Sequence, residues 1–434
     1  MFKKWIIVVC CLFISGCSSQ TKKPADEPPA QETKGSLIHK KLYDGDGNEK
    51  GFYHIVLNET GNGDGSNILY YDYAAKKEIY LCDKPQCQHH DETCTSYIGN
   101  WGFASTLFVH GNYLYLLNSE ALKTMEGGQN TASSSGIYRM NLDGKNREKL
   151  CSLPAGYTYS DNRLTLDDCY LYIPLEKTEN IQFEENSYMQ HVTESALFTI
   201  DLQSGKTTHL LDNKDRHVIA AENRQLIFSQ YHYSQDPEKL LNEKRFDDYD
   251  AVMKNVTISY YAYDLDKQEI LWESTLPVSE VSFYYQHKLY YIENHALHAV
   301  SVDTKQNDII AVLPDDLDYN ISDIIDNHLI ISGWDNEQAG HIASYVWNFN
   351  DKQMKELTLT TSAPVQDIRI YSEYDQYFFV YYDHEQHLEK TWAGTDQFTI
   401  DKIYVGLILK EDYWNSIAAY QPFDTISQGN TVRR

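Results

Sequence analysis

The sequence predicts an all-β fold, a β-propeller built from four-stranded antiparallel blades. Three observations lead to this prediction: a hairpin signature that recurs seven times, a second, aromatic hairpin before most copies, and the lack of an alternating β–α pattern. Four strands in units of roughly 40–45 residues are what propeller blades require. We therefore expect seven blades, with six or eight as alternatives. A pair of β-sandwiches and an open β-solenoid are the other folds that fit the strands.

The recurring signature is an apolar strand, a turn that contains Asp or Asn, a lysine and a second strand. Successive copies lie 37 to 69 residues apart. Asn, Asp and Gly supply the positive-φ conformations that tight hairpins need. The seven copies are Tyr71–Lys76, Met140–Lys145, Ile200–Lys206, Tyr263–Lys267, Val300–Lys305, Trp347–Lys352 and the degenerate Val405–Lys410. Because an open array leaves unpaired edge strands, we expect Leu37–Tyr43 or Ser416–Phe423 to close the ring.

Residues 1–16 have the composition of a bacterial lipoprotein signal peptide. Lys3 and Lys4 precede the apolar run Trp5–Ile14, and the four residues that end at Cys17 (ISGC) resemble a lipobox. The run is too short to span a membrane as a helix. We expect cleavage before Cys17, lipidation of that residue, and anchoring at the extracytoplasmic face of the cell membrane. An ordinary secretory signal is the alternative.

Residues 17–36 are predicted to be a lipidated, disordered tether, because Ser18–Gly35 is polar and contains three prolines and no large apolar residue. Residues 37–434 then form the propeller domain. The net charge of −26 repels nucleic acid and anionic lipid headgroups. We therefore expect no nucleic-acid binding. Separately, we expect a monomer whose propeller binds an envelope protein, a peptide or a glycan.

Three insertions interrupt the repeat. Lys123–Gly136 is of low complexity and Glu176–Glu194 is polar, so both are predicted to be loops. Asp236–Lys254 is predicted to be one short helix, capped by Ser234 or Asp236. Its apolar face would comprise Leu240, Leu241, Tyr249 and Val252.

A cysteine–histidine cluster follows the first hairpin repeat. Cys82, Cys87, His89 and Cys94 lie within thirteen residues. Three thiolates and one imidazole are an accepted tetrahedral set for zinc, and four protein ligands make such a site structural. The spacing matches no common zinc finger. Since exported proteins favour disulfides, a disulfide within the cluster and free thiols stay open as alternatives.

Two further cysteines, Cys151 and Cys169, follow the cluster. If zinc takes the three cluster thiols, these two are candidates for a disulfide or are two free buried thiols.

The chain resembles lipoproteins of low-GC Gram-positive bacteria. The resemblance rests on the lipobox at Cys17, the polar tether, the Tyr-rich repeats, the Cys-x4-Cys-x-His-x4-Cys segment from Cys82 to Cys94, and the C-terminal string Lys410–Trp414 (KEDYW). It implies a propeller located outside the cytoplasm, and it leaves the activity open.

The sequence contains no Gly-x-Ser-x-Gly elbow and no His-Glu-x-x-His motif. Asp44, Asp46 and Asn48 resemble the start of an EF-hand, but Ile55 stands where a bidentate glutamate is required. We therefore expect a binding module without catalytic residues. The alternative is an extracytoplasmic enzyme or solute receptor that uses acidic residues in the central channel.

Overall fold

A computed structural model describes most of the chain from residue 36 onward. The described residues are 36–42, 45–59, 65–99, 105–118, 135–159, 163–184, 187–276, 282–335, 342–362, 365–390, 396–427 and 431–433. The predicted signal peptide, Cys17, nearly all of the tether and most of the Lys123–Gly136 insertion lie outside them. Within the described part, no helix has the length and apolar character that crossing a membrane requires.

Seven antiparallel sheets follow one another along the chain, and four consecutive strands pair in chain order within each. The predicted seven-bladed propeller is confirmed. Blades 1 to 3 comprise β2 (Gly45–Asn48), β3 (Gly51–Glu59), β4 (Ser66–Asp72) and β5 (Lys77–Tyr80); β7 (Ser105–His110), β8 (Tyr113–Asn118), β9 (Gly136–Asn141) and β10 (Glu148–Cys151); and β11 (Arg163–Leu166), β12 (Tyr170–Glu184), β13 (Ser187–Asp201) and β14 (Thr207–Asp212).

Blades 4 to 7 repeat the same pattern. They comprise β15 (Arg216–Glu222), β16 (Gln225–His232), β17 (Thr257–Asp264) and β18 (Glu269–Leu276); β19 (Phe283–Tyr285), β20 (Lys288–Glu293), β21 (Ala296–Ser301) and β22 (Asn307–Val312); β23 (Asp318–Ile325), β24 (His328–Trp334), β25 (Ile342–Asn348) and β26 (Gln353–Leu357); and β27 (Arg369–Tyr374), β28 (Tyr377–Lys390), β29 (Asp396–Leu409) and β30 (Gln421–Pro422). The strands outside the blades are β1 (Ile38–Lys41), β6 (Tyr97–Gly99) and β31 (Thr431–Arg433).

Burial of apolar side chains between neighbouring blades holds the ring together. Seven hydrophobic clusters each join one blade to the next, including blade 7 to blade 1. At that last junction Phe52 and Tyr71 lie 5.3 and 5.0 Å from Phe379, measured between ring centroids. Because each strand presents side chains to both of its faces, the apolar and aromatic runs of the middle strands serve two junctions at once.

The C-terminal tail adds a polar latch to this junction. The Glu78 carboxylate, on β5, accepts hydrogen bonds from the Ile426 and Ser427 amides at 2.6 and 2.7 Å and from the Ser427 hydroxyl at 2.6 Å. Its side chain is fully buried and lies 2.8 Å from His54 Nε2. Beyond it, β31 pairs in parallel with β3. The predicted closing segment Ser416–Phe423 contributes β30 to blade 7, and the latch comes from the residues after it.

The described residues of the other predicted closing segment, Leu37–Tyr43, do not join blade 7 to blade 1. Its strand β1 pairs antiparallel with β11, the first strand of blade 3. Lys40 Nζ donates to Asp46 of blade 1 at 2.6 Å and to the Val109 carbonyl of blade 2 at 2.9 Å. Lys41 Nζ reaches the Ser322 carbonyl of blade 6 at 3.1 Å. Contact with four blades places β1 in the central channel, against the first strands that line it.

Two predictions about the insertions were wrong. Glu176–Glu194 is a long hairpin, because β12 and β13 continue their pairing as far as Glu184 and Ser187. Backbone hydrogen bonds between paired strands form whatever the side-chain composition, so the polar composition of this segment did not reveal the strands.

The helical insertion consists of α1 (Pro237–Asn242) and α2 (Phe246–Met253), where one helix was predicted. Lys244 between them adopts a left-handed conformation with φ of 57°, which ends a helix. The predicted cap is confirmed, because Asp236 accepts from two amides of the first turn of α1. Leu240 and Val252 of the predicted apolar face are buried.

Candidate metal centre and central cavity

The cysteine–histidine cluster lies in a loop that leaves the edge of blade 1. Cys82 follows β5, and Cys94 precedes β6, which returns to pair with β4. Two residues of the loop, Gln86 and His89, have left-handed φ values of 58° and 56°. Such conformations cost of order 1 kcal/mol or more for residues other than glycine. They bend the loop back on itself and bring its side chains together.

The ligand atoms of Cys82, Cys87, His89 and Cys94 all lie within 4.8 Å of one another, so this group could hold a metal ion. His89 Nδ1 is 3.3 Å from Cys94 Sγ. The neighbouring His90 is about half exposed and is not part of the group. The predicted set of four residues is therefore brought together.

Contacts around His89 fix the orientation of its ring. Tyr80 stacks on the imidazole with 3.9 Å between ring centroids and 8° between the ring planes. The Asn67 side-chain amide donates to the His89 carbonyl at 3.1 Å and to the Ser96 hydroxyl at 3.1 Å. Residues that hold a ligating imidazole in place are typical of metal sites.

The thiols differ in their surroundings. Burial raises the pKa of Cys94 to about 12. Burial also acts on Cys82, but hydrogen bonds from the Lys84 backbone and from the neighbouring thiols outweigh it and lower the pKa of Cys82. Metal binding requires thiolates and releases protons. A bound cation would therefore supply the charge compensation that the buried Cys94 needs in order to ionise.

No disulfide joins the other two cysteines, Cys151 and Cys169, in the structure. Cys151 ends β10 in blade 2, whereas Cys169 lies in the turn between β11 and β12 in blade 3. Burial raises the pKa of Cys151, which keeps that thiol protonated and poorly reactive.

A cavity of about 770 Å³ extends from the central channel between blades 6 and 7. A second cavity of about 390 Å³ adjoins it and shares Lys41, Arg163 and Asp323. The wall of the larger cavity combines apolar and aromatic groups with a few charged ones. Its members include Lys41, Arg163, Tyr231, Phe283, Asp323, Ile330, Trp334, Asp367, Arg369 and Tyr413.

The C-terminal string Lys410–Trp414 forms α3 beside this cavity. Tyr413 is buried, lines the wall, and has a pKa raised by burial and by the nearby Asp367. Trp414 Nε1 donates to Asp326 at 2.8 Å, and its ring stacks on His328 at 4.0 Å between centroids. The string thus fastens the last blade to blade 6 at the back of the cavity.

Sequence reasoning missed the cavity residues. Lys41, Arg163, Asp323 and Arg369 come from four different strands, and only ring closure brings them together. The alternative prediction expected acidic residues in the central channel. Among the described residues, the cavity wall there combines Asp323 and Asp367 with three cations.

No family profile and no curated protein matches this sequence. Solved structures with a similar chain path include a puromycin-hydrolysing peptidase of Mycobacterium tuberculosis (10% identity, TM-score 0.46, 88% of this chain and 52% of that one). Another is an oligogalacturonate lyase of Vibrio parahaemolyticus (10% identity, TM-score 0.41, 91% of this chain and 87% of that one). A third is the acylaminoacyl peptidase of Pyrococcus horikoshii (9% identity, TM-score 0.40, 70% of this chain and 44% of that one). This chain spans about half the length of the peptidases. Such distant likeness carries no inference about activity.

Proposed function

We propose that this chain is an extracytoplasmic lipoprotein, held at the cell membrane by lipid on Cys17, and that its propeller is a binding module. Its ligand, a small molecule or the end of an envelope peptide or glycan, occupies the central cavity. The observation that carries this proposal is the cavity itself. Ligand sites are commonly 300–1,000 Å³, mostly apolar, with a few convergent polar groups, and the cavity of about 770 Å³ fits that description.

Binding is tested with the full-length Cys17→Ser protein, which lacks the acceptor thiol, by thermal-shift screening against short peptides and oligosaccharide fragments. We expect at least one compound to raise Tm. Trp334→Ala, in the cavity wall, should weaken its binding at least tenfold, whereas Trp272→Ala, on β18 away from the larger cavity, should not. Equal effects of the two tryptophan variants would refute a ligand in the cavity.

Anchoring is tested by palmitate labelling and membrane fractionation of cells that produce the wild-type protein or Cys17→Ser. We expect label and membrane association in the wild type and the loss of both in the variant. Cys169→Ser is the control for removal of a thiol. Labelled, membrane-bound Cys17→Ser would contradict the proposal.

We further propose that Cys82, Cys87, His89 and Cys94 bind one structural zinc ion. Three thiolates and an imidazole suit zinc, and with four protein ligands no position is left for a reaction. The ion would stabilise a loop in which two residues, Gln86 and His89, have the unfavourable left-handed conformation. Elemental analysis should find about one zinc per chain in the wild type and in Cys169→Ser. Cys94→Ser should lose it and unfold at a lower temperature, and equal zinc contents would refute the site.

A further inference from the structure

The charge of the central cavity is opposite in sign to that of the whole chain. The larger cavity has three cations in its wall, Lys41, Arg163 and Arg369, and two carboxylates, Asp323 and Asp367. Three positive and two negative charges leave one net positive charge, in a protein whose net charge is −26. Because the surface is acidic, this local reversal is a property of the cavity and not of the composition.

Charges of both signs act on Lys41, which is itself in the cavity wall. Burial lowers the pKa of Lys41, and Arg163 and Arg369 lower it further, although Asp323 acts in the opposite direction. Lys41 and Arg163 are direct partners in the β1–β11 pairing. Additional negative charge at this position would favour the protonated lysine.

The Asp367 carboxylate is bound by two serine hydroxyls of the neighbouring blade. Asp367 accepts hydrogen bonds from the Ser332 hydroxyl at 2.6 Å and from the Ser344 hydroxyl. Both serines lie in blade 6, and Asp367 precedes β27 of blade 7, so these bonds join the two blades at the wall of the cavity. The Asp367 carboxylate in the cavity wall is therefore engaged by blade 6.

The rest of the wall is suited to an apolar or ring-shaped group. Phe283, Tyr231 and Trp334 line the same cavity as the two arginines. Aromatic side chains offer large, rigid contact surfaces. A guanidinium group binds a carboxylate through two parallel hydrogen bonds, which fixes the position of the carboxylate as well as attracting it.

We propose that the cavity binds a small organic carboxylate with one negative charge and an attached ring, held by Arg163 and Arg369 with the ring against the aromatic wall. This inference rests on the proposed binding function and specifies its ligand class. The net charge of the cavity matches a single carboxylate, whereas the two aspartates disfavour a dianion. The carboxyl end of a peptide and an acidic sugar share this chemistry.

The test compares matched probes by calorimetry with full-length Cys17→Ser protein, in a buffer without carboxylate or phosphate. The pairs are N-acetylphenylalanine against its amide, and glucuronate against glucose. We expect one acid to bind at least tenfold more tightly than its neutral partner, since hydrogen bonds to charged groups are the strong ones. The pair that responds distinguishes a peptide end from an acidic sugar.

Arg163→Gln and Arg369→Gln should each weaken binding of the acid about tenfold or more and leave binding of its neutral partner unchanged. Arg245→Gln is the matched control, because Arg245 is an exposed residue at the start of α2, outside the cavity. Circular dichroism checks that each variant is folded.

Equal binding of an acid and its neutral partner, or binding of inorganic phosphate as tight as that of the acid, would overturn the ligand class and leave the binding function standing. Absence of binding by both members of both pairs would overturn the ligand class. If the thermal-shift screen of peptides and oligosaccharides is also empty, the proposed function fails as well.

Discussion

Replacement of Glu78 by alanine tests whether the polar latch between the C-terminal tail and blade 1 stabilises the closed ring. The carboxylate is fully buried, accepts three hydrogen bonds from Ile426 and Ser427, and lies 2.8 Å from His54 Nε2. Glu78→Ala removes the acceptor and leaves His54 without its partner. It also releases the tail that leads to β31.

The magnitude follows from these contacts. A hydrogen bond to a charged group contributes about 1.5–3 kcal/mol, so three of them would give several kcal/mol. The tail can regain hydrogen bonds with water when it detaches, so the lower end of that range applies to each donor. We therefore expect the free energy of unfolding to fall by about 3–5 kcal/mol, as for other buried ion pairs that lose one partner.

Thermal unfolding measures the effect. At about 2 °C per kcal/mol for a large domain, Tm should fall by roughly 5–10 °C. Glu148→Ala is the control, because Glu148 is on a strand and ion-paired with Arg139 but more than half exposed; it should change stability by less than about 1 kcal/mol. A Glu78→Ala variant with the Tm of the wild type would refute the latch.

The same latch predicts a pH dependence. Burial raises the pKa of Glu78, but hydrogen bonds and the charge of His54, together with the bonds from Ser427, lower it below the usual value in the folded protein. A carboxyl group with a depressed folded-state pKa stabilises the protein above its unfolded-state pKa, and this contribution is lost as pH falls through the folded-state pKa. The stability difference between the wild type and Glu78→Gln should therefore be largest above about pH 4.5 and shrink in more acidic solution.

Two further variants test a polar contact between blades 3 and 4 and the contacts that hold β1 in the channel. Asp167→Ala should lower the free energy of unfolding by about 3–5 kcal/mol, because the buried Asp167 carboxylate contacts Arg224 Nη1 at 2.5 Å and accepts a hydrogen bond from Tyr172 at 3.0 Å. The control is Asp266→Ala, since Asp266 is half exposed and lies 3.4 Å from the same arginine; it should change urea unfolding little. Equal effects of the two variants would contradict this assignment. Asp46→Ala removes the hydrogen-bond acceptor of Lys40 and of the Val109 amide. It should lower the free energy of unfolding by about 1.5–3 kcal/mol and speed amide hydrogen exchange in β1. Unchanged exchange in β1 would show that Asp46 does not hold the strand.

The blade architecture could be predicted from the sequence because each blade is a local pattern. Residues such as Asn141 and Asp264 end an apolar strand just before a turn, at the corresponding place in most repeats, and hairpin pairing joins neighbours in the chain. The Cys82–Cys94 cluster could be predicted for the same reason, since a single loop contains all four residues. In both cases the distance along the chain is short.

The parts that the sequence did not reveal depend on distant residues. Nothing in Ile38–Lys41 distinguishes a strand inside the channel from one at the edge, because β1 owes its position to partners in four blades. Arg163 and Arg369 likewise belong to strands separated by more than half of the described chain. Their convergence is a consequence of ring closure, which leaves no local pattern in the residues themselves.

The position of β1 also sets an order for assembly. His39 bonds to a residue 126 positions further along the chain, and Lys41 bonds to one 281 positions further along. Closing such long loops is slow, because the entropy is lost before the contacts form. β1, the first of the described strands, thus completes its contacts late in folding. Without blade 6, Lys41 lacks the Ser322 carbonyl as acceptor, so β1 completes its set of contacts only after that blade has formed.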